Sequence, residues 1–475
     1  MDQVMLLPYL TRGHIIPLLH LCDKLSTRSR QKKLTTVYTI VISEKFLEFV
    51  SAWRGDNVRF VTIPNPNPAP PFDPNHLDYV PFYQSLETTF ERLLDSTDLP
   101  VKFIIVDVMM LSGFDPAYNR KIPVAAYWPM TASMFILLYH ARLMEERRAN
   151  YQNYASGRVS TGNRPNTITR SLMPSLRKLR TSTSDTQSDH NFRTGKVDYI
   201  PGLSPISLAD LPWPPHHIFH NVVKLLHVCL SKSNCLLLTT LYELETDAIN
   251  EILAVLPIPV YLVGLNIPDL PLQPNLPSNE PSCEYLSWLN SKPQKSVLYV
   301  SLGYLPEVSG AQIAEMLAGL KLSGVNFLWA TPGVHLKGDF GSNGLAVEWC
   351  DQWKVLSHSS VGGFLSHCGW NSTKQSLLLG VPMLTFPIAG DQLLNRKLII
   401  EDWKNGRNLK NGSFVRKEAI AVVVRRFMNL ESELMINAKH LEGICLESVE
   451  EGRRADKEID CFIRESEKNW VQDFI

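Results

Sequence analysis

Short apolar runs rich in β-branched residues alternate with amphipathic stretches along most of this chain, and this alternation constrains the fold more than any other feature of the sequence. The pattern is typical of βα units around a parallel sheet that is buried on both faces. We therefore predict an α/β protein with two doubly wound halves. The predicted strands are Val4–Leu7, Thr35–Ile42, Val58–Ile63, Phe103–Val106, Val124–Tyr127, Cys235–Thr239 and Val260–Val263 in the first half, and Ser296–Ser301, Phe327–Ala330, Val361–Ser366 and Met383–Phe386 in the second.

Changes in composition divide the chain. Residues 264–282 are rich in proline, which is typical of an extended linker, so we predict an N-terminal domain at 1–263 and a C-terminal domain at 283–452. Residues 453–475 contain a helical pattern with no strand after it, and we expect this helix to pack across the domain junction. Residues 151–195 are rich in Ser, Thr, Lys and Arg with little apolar periodicity, which predicts a disordered insertion. That composition fits a solvated loop or a segment that binds a regulatory partner.

Net charge and cysteine content argue against several classes of protein. Lys plus Arg and Asp plus Glu both number 47, so no overall positive field attracts nucleic acid or anionic lipid. A nucleic-acid role would rest on the basic 151–195 segment alone. No apolar run approaches the roughly 18 residues of a membrane span. The eight cysteines form no C-x-x-C pair, which argues against a disulfide framework and a metal site. We expect a cytoplasmic protein.

Two polar residues follow predicted strands of the first half, at the sheet edge where open α/β sheets bind ligands. His14 lies where the chain enters a helix after the first strand, and Asp107 follows the fourth strand directly. An aspartate beside this histidine would fix its tautomer and stabilise the imidazolium that forms when the ring takes a proton. Each residue also has a plainer interpretation, since a lone histidine is usually structural and Asp is a favoured helix N-cap. His20, further along the same helix, is a weaker candidate.

A third polar segment, Ser366-His367-Cys368-Gly369-Trp370-Asn371-Ser372, follows a strand and opens a helix. The exposed N–H groups and the positive end of the helix dipole predict an anion site, and the His, Asn and Ser side chains add hydrogen-bond donors. The segment therefore indicates a ligand that carries phosphate. No G-x-G-x-x-G follows a strand and no G-x-x-x-x-G-K-[ST] is present, which argues against dinucleotide oxidoreductases and Walker-type ATPases.

The 44 residues from Trp349 to Gln392, WCDQWKVLSHSSVGGFLSHCGWNSTKQSLLLGVPMLTFPIAGDQ, closely resemble the signature box of plant family 1 UDP-sugar-dependent glycosyltransferases. The similarity extends to the N-terminal G-H-x-x-P of Gly13–Pro17, to Tyr199–Leu203 and to the closing helices. It implies a GT-B fold, in which two Rossmann-like domains face a cleft with the acceptor in the N-terminal half and the UDP-sugar in the C-terminal half.

The resemblance also implies a reaction, an inverting transfer of a hexose without a metal or other cofactor. UDP-glucose would be the co-substrate, and a small lipophilic acceptor would supply a hydroxyl or carboxyl group. By analogy, His14 is the general base and Asp107 orients and charge-stabilises it. The acceptor pocket would be lined from the N-terminal domain, with Trp128 and residues near Phe82 and Leu137 as candidates.

Donor residues are assigned by the same analogy. Trp349 would stack on uracil, Cys350 would offer its backbone to the base edge and Gln352 would reach the ribose. The diphosphate would be held where negative charge develops as UDP leaves, by His367, Asn371 and Ser372. The sugar hydroxyls would be held by Trp370, Asp391 and Gln392, and a final Gln resembles the glucose-preferring form.

Three features depart from the family pattern. The family usually has Glu at the position of Gln375, where it receives the ribose hydroxyls, and a small hydroxyl residue at the position of Tyr304, close to the diphosphate. The third departure is the insertion at 151–195. Because of these departures, an impaired or non-catalytic relative that binds nucleotide sugar or a partner is the alternative to an active transferase.

Overall fold

The structure, a computed structural model, describes residues 2–50, 53, 57–64, 79–144, 195–211, 218–265, 284–303, 308–331, 339–409, 414–429, 433–449 and 453–467. Except for Gly195, the predicted insertion falls outside the described residues, as do Tyr304 and the linker beyond Leu265.

The described part of the N-terminal half contains a seven-stranded parallel sheet. Its strands are Asp2–Leu7 (β1), Thr36–Ser43 (β2), Val58–Ile63 (β3), Val101–Asp107 (β4), Val124–Trp128 (β5), Cys235–Leu238 (β8) and Val260–Leu262 (β9). A separate antiparallel pair is formed by Lys196–Val197 (β6) and Ile206–Ser207 (β7). The strand order is β3-β2-β1-β4-β5-β8-β9, so the connections run to one side from β1 and to the other side from β4, and the topological switch point lies between these two strands. In open α/β sheets, ligands bind beyond the carboxyl ends of the strands at such a point.

The described part of the C-terminal half contains a six-stranded parallel sheet in the same style. Its strands are Val297–Ser301 (β10), Asn326–Ala330 (β11), Gly344–Val347 (β12), Val361–Ser366 (β13), Met383–Thr385 (β14) and Gly406–Asn408 (β15). The order β12-β11-β10-β13-β14-β15 reverses between β10 and β13, and His367 follows β13 directly. Two doubly wound sheets of this kind confirm the predicted α/β architecture.

Helices connect these strands. Those of the N-terminal half are Arg12–Gln31 (α1), Leu47–Val50 (α2), Tyr79–Ser96 (α3), Phe114–Asn119 (α4), Ala132–Tyr139 (α5), Ile218–Ser231 (α6) and Thr246–Val255 (α7). Those that follow are Glu284–Asn290 (α8), Gly310–Ser323 (α9), Gln352–Leu356 (α10), Trp370–Leu378 (α11), Gln392–Lys397 (α12), Lys417–Asn429 (α13), Glu433–Val449 (α14) and Arg454–Glu467 (α15). Among the described helices, none combines the length and apolar composition that a membrane span requires.

Both faces of each sheet are covered by an apolar core, which explains the continuous apolar strands. Along β1, Val4 and Leu6 pack into one core of the N-terminal half, whereas Met5 and Leu7 pack into the other. The period of two that a strand imposes on its side chains produces this division. The C-terminal sheet likewise lies between two buried clusters.

The last described helix, α15, packs on the N-terminal half although it follows the C-terminal half in sequence. Ile459, Phe462 and Ile463 of α15 are buried in the core that contains Leu6 and Ile15. The Arg28 guanidinium pairs with Asp456, and the Lys32 ammonium lies 3.0 Å from an Asp460 carboxylate oxygen. Helix α15 therefore packs on the N-terminal domain.

Apolar and polar contacts join the two halves beside the sheet edges. The indole N–H groups of Trp370 and Trp403 each donate a hydrogen bond of 3.0 Å, to the carbonyl oxygens of Thr239 and Leu244 respectively. Leu241 and Leu244 pack against Trp370, Leu377 and Leu378 in one buried cluster. These contacts hold the carboxyl ends of both sheets toward the same region.

Candidate active site

His14 and Asp107 meet at the topological switch point of the N-terminal sheet, between β1 and β4. His14 is in the first turn of α1 and Asp107 is the last residue of β4. The His14 Nδ1 atom lies 2.7 Å from Oδ2 of Asp107, whose side chain is fully buried, while the His14 side chain is 22% exposed. The ring keeps its other nitrogen, Nε2, for a second partner, and the edge contact with Tyr9, 5.2 Å between ring centroids, limits its rotation. This geometry is suited to a general base.

The Asp107 carboxylate has two partners, but it does not cap a helix, because the 3₁₀ turn that follows, Leu111–Gly113, has Met110 at its N-cap position. Oδ2 contacts the imidazole, and Oδ1 accepts a 2.9 Å hydrogen bond from the backbone N–H of Met109. This bond from the backbone fixes the carboxylate, so the oxygen that faces His14 has a defined position. Burial lowers the pKa of His14, but the charge and hydrogen bond of Asp107 and the charge of Asp391 raise it, and the net pKa is raised above the ordinary value.

Asp391 approaches the same histidine from the other half of the molecule. It occupies the N-cap position of α12. Burial raises the pKa of Asp391, while a hydrogen bond from Asn395 and the charge of His14 act in the opposite direction. The Asn395 amide donates at 2.9 Å both to Oδ2 of Asp391 and to the carbonyl oxygen of Cys368. The cleft therefore brings a second carboxylate within electrostatic range of His14.

The first turn of α11 lies directly across from His14. Helix geometry leaves the first backbone N–H groups of α11, from Trp370 onward, without partners inside the helix. The Asn371 side chain donates a 2.7 Å hydrogen bond to the Gly13 carbonyl oxygen, so this contact links the candidate anion site to the first turn of α1, which carries His14. A diphosphate bound at this helix end would compete with the Gly13 carbonyl oxygen for the N–H donors of the Asn371 amide.

His367 sits between two glycines. A Cβ atom would lie 3.0 Å from its Nε2 if it were added at Gly303, and 2.5 Å if added at Gly369. A Cβ at Gly369 would therefore force the ring to shift, and Gly303 has a φ of +68°, a backbone conformation that favours glycine. Burial lowers the pKa of His367 to about 4, so the ring is neutral at neutral pH and offers one N–H donor.

A polar cluster surrounds Gln352. The Tyr299 hydroxyl donates to Oε1 of Gln352 at 3.2 Å, and the Gln352 amide donates to Oγ of Ser372 at 3.2 Å and to Oε1 of Gln375. The three contacts fix which end of the Gln352 amide points where. The amide oxygen of Gln375 is thereby already engaged by a donor from Gln352.

The two residues predicted to hold uracil differ in exposure. The Trp349 side chain is 67% exposed, the largest value among the exposed large hydrophobic residues described. Cys350 is buried, and its Sγ lies 3.4 Å from the Tyr299 hydroxyl. Trp349 therefore presents an open aromatic face, whereas Cys350 anchors the loop below it.

Two of the predicted sugar-binding residues have their side chains partly occupied. The indole N–H of Trp370 is used at the domain junction, so only its backbone can serve a sugar hydroxyl in this arrangement. Gln392 accepts hydrogen bonds from the backbone N–H groups of Ile388 at 2.8 Å and Ala389 at 3.1 Å, which leaves its NH₂ group for a ligand.

Of the suggested acceptor-lining residues, Trp128 is buried in the core. Trp128 and Leu137 are 1% and 0% exposed, and the Trp128 indole donates to the Thr131 carbonyl oxygen at 2.8 Å. Both belong to the core because β5 and α5 bury them, so Trp128 itself does not line an open pocket, whereas a lining role for residues near Leu137 stays a prediction. The side chain of Phe82 lies outside the described part of the structure.

Sequence reasoning did not single out Tyr299, Asn395 or Lys374. The Lys374 residue is 2% exposed and its Nζ has no hydrogen-bond partner within the described residues. Burial, and then the charge of Lys24, lowers the pKa of Lys374 to about 7. Its spacing was an available signal, because Lys374 is four residues after the buried Trp370 and therefore on the same face of the helix.

Comparisons with known proteins show which family this chain resembles. A family model described as UDP-glucoronosyl and UDP-glucosyl transferase matches residues 239–432. The chain is 36% identical to UDP-glycosyltransferase 87A2 of Arabidopsis thaliana, over 97% of this chain and 96% of the relative. It is 29% identical to 7-deoxyloganetin glucosyltransferase of Gardenia jasminoides, over 92% of this chain and 91% of the relative.

A solved structure, that of Phytolacca americana UGT2 complexed with UDP-2fluoro-glucose and pterostilbene, superposes with a TM-score of 0.76 at 21% identity. The match covers 98% of this chain and 100% of the other. At this level of identity the superposition establishes the fold.

Proposed function

Because this chain belongs to the plant family 1 UDP-glycosyltransferases, we propose that it transfers a hexose, glucose by preference, from a UDP-sugar to a hydroxyl or carboxyl group of a small lipophilic acceptor. The single observation that carries the proposal is the 2.7 Å contact of His14 with the buried Asp107, opposite the first turn of α11. A general base and an anion site face each other across one cleft.

The base half of the reaction follows from the dyad. Nε2 of His14 removes the proton from the acceptor hydroxyl as the acceptor oxygen forms its bond to C1 of the sugar. Asp107 holds Nδ1–H toward itself and stabilises the imidazolium. With a carboxyl acceptor, which is ionised at neutral pH, the attacking oxygen carries no proton, and His14 can orient it only in its protonated form, by donating Nε2–H.

The leaving-group half belongs to the C-terminal domain. The bond from C1 to the β-phosphate oxygen breaks as the acceptor bond forms, and the electron pair leaves with UDP. Backbone N–H groups at the start of α11, with His367 and Ser372, stabilise the charge that develops there. In-line displacement inverts the anomeric centre, and no step requires a metal or a further cofactor in this proposal.

The donor residues support a UDP-sugar. Trp349 offers an exposed aromatic face for uracil, and the Gln352 cluster lies close enough to Ser372 to join the base site to the phosphate site. The NH₂ group of Gln392 and the carboxylate of Asp391 remain for the hexose. The preference for glucose is supported by the glucosyltransferase of Gardenia jasminoides. We propose a cytoplasmic location without a nucleic-acid partner.

The test is a screen of the full chain with UDP-glucose against phenolic, terpenoid and carboxylic acceptors, followed by His14→Ala. With hydroxyl acceptors we expect turnover to fall by roughly 10² to 10⁴ in this variant, while UDP-glucose binding stays nearly unchanged. A β-configured product confirms inversion. His358→Ala, which removes a histidine paired with Asn290 and Ser360, is the matched control and should retain activity. Binding of UDP-glucose without any turnover would favour the non-catalytic relative.

A further inference from the structure

Helix α12 contacts the cleft with one end and the N-terminal domain with the other. Asp391 and Gln392 stand at its start. Arg396 pairs with Asp210 of the N-terminal domain, and the next residue, Lys397, donates to Ser204 of the same domain. Two residues proposed to bind the sugar are therefore carried on a short helix whose far end is bound to the opposite domain.

The ion pair at this far end is buried. Asp210 ends a 3₁₀ turn at Leu208–Asp210 that follows β7, and its side chain is 6% exposed against 18% for Arg396. A carboxylate withdrawn from water to this extent requires an opposite charge, and loss of one partner leaves the other uncompensated. This contact is therefore a strong restraint on where α12 sits, unlike an exposed ion pair.

A second set of contacts lies beside the first. The Lys397 ammonium donates to both carboxylate oxygens of Asp402, at 2.6 and 2.7 Å, and the Ser204 hydroxyl donates to the same oxygens at 3.0 and 2.9 Å. Asp402 ends the π-helical turn Leu398–Asp402, whose wider spacing brings residues five apart together. The turn that extends α12 is thus also held by the N-terminal domain.

A displacement of α12 would change the distance between the Asp391 carboxylate and His14. Asn395 is fully buried and fixes Asp391 to the helix, so Asp391 moves when the helix moves. The charged groups that act on His14 are Asp107, from β4, and Asp391, from the other half of the molecule. Asp107 is in the same domain as His14, whereas the distance from Asp391 depends on how the two domains are held.

We propose that the Asp210–Arg396 pair and the Ser204–Lys397–Asp402 cluster, together the interdomain brace, are positioning residues that fix Asp391 and Gln392 relative to His14 across the cleft. The brace touches neither donor nor acceptor in this assignment and acts through α12. The inference rests on the proposed function, because it assigns the brace to that same site.

The experiment compares Asp210→Asn, which keeps the side-chain shape, with the wild type. We expect kcat with UDP-glucose and a phenolic acceptor to fall about tenfold, with the Kd for UDP-glucose changed by less than about threefold. In protein labelled at histidine Cε1, the His14 titration should move to lower pH by about 0.5 pH unit, because Asp391 moves away from His14 and its negative charge stabilises the imidazolium less. A role in folding alone would not move this titration. The double variant Asp210→Arg with Arg396→Asp should recover most of both losses.

Controls separate the brace from other causes. Lys321→Met breaks an exposed ion pair with Asp339 in the same domain and should leave kcat and the titration unchanged. If Asp210→Asn does not fold, Ser204→Ala removes a brace contact without stranding a buried charge and should shift the titration in the same direction. A wild-type kcat and wild-type titration in Asp210→Asn overturn the proposal. A wild type with no turnover refutes the proposed function, whereas the titration still decides whether the brace positions Asp391.

Discussion

Gln375 is predicted to contact the ribose of the UDP-sugar, where a neutral side chain makes a weaker hydrogen bond than a carboxylate would. Its amide oxygen accepts from Gln352, so a carboxylate at this position would keep that bond and add a negative charge toward a ribose hydroxyl. Bonds to charged groups exceed neutral ones by about 1 kcal/mol, which corresponds to roughly fivefold in affinity. We therefore expect Gln375→Glu to tighten UDP-glucose binding severalfold by titration calorimetry. The gain should shrink with the 2′-deoxyuridine donor, and an unchanged Kd would contradict this assignment.

Lys374 is a second residue whose charge can be tested. With a pKa lowered to about 7, the folded protein binds fewer protons than the unfolded chain between pH 7 and the ordinary lysine value near 10.5, so stability rises with pH across this window. We expect Lys374→Leu to stabilise the protein at pH 7 by on the order of 2 kcal/mol and to flatten this pH dependence in denaturant unfolding. The exposed Lys417→Leu is the control. A Lys374→Leu variant as pH-dependent as the wild type would show that Lys374 keeps its charge at little cost.

At the level of elements, the loop between β13 and α11 requires a residue without a side chain at position 369, next to the His367 ring. Ala at position 369 would place a Cβ 2.5 Å from the His367 ring, so the ring or the helix start must shift. We expect Gly369→Ala to weaken UDP binding about tenfold while the far-UV spectrum stays unchanged. Gly310→Ala is a matched control, because Gly310 is also in the first turn of a helix and a Cβ there meets nothing within 4 Å. Equal UDP affinities in the two variants would refute a steric role for Gly369.

The sequence predicts the central elements better than the marginal ones. The continuous apolar runs of β1, β4, β10 and β13 identify strands buried on both faces, and their ends identify His14, Asp107 and His367 as site candidates. The sequence does not predict the edge strands Gly344–Val347 and Gly406–Asn408 or the pair β6–β7, because these strands are short and, unlike β8 and β14, are not buried along their length. Asp391 was identified through the family resemblance alone, because no local sequence pattern predicts that a residue of the C-terminal half lies close to His14.

On the scale of the whole molecule, the two halves are joined by indole N–H bonds, the brace and the return of α15. A junction made of contacts between distant parts of the chain has no local sequence period, so the sequence does not predict the bond from the Trp370 indole to the Thr239 carbonyl oxygen. The same contacts place the proposed base and the proposed donor site on opposite walls of one cleft. Changes at the junction should therefore alter turnover without removing any residue that touches substrate.

The return of α15 provides a test of how strongly the end of the chain supports the first domain. Phe462 is fully buried and its ring meets Phe103 of β4 and Tyr261 of β9, each with 5.6 Å between ring centroids. We expect Phe462→Ala to lower the free energy of unfolding by about 3 to 5 kcal/mol, because a cavity opens between α15 and the sheet.

The matched control is Phe414→Ala, since Phe414 is 41% exposed and its truncation should cost less than about 1 kcal/mol. Both variants are followed by urea denaturation with tryptophan fluorescence, and limited proteolysis shows where the chain opens first. Cleavage within the first domain of the Phe462 variant under conditions that leave the wild type intact would show that the terminal helix is part of that domain's cooperative unit. If the two variants lose equal stability, α15 contributes no more to the first domain than a surface contact does.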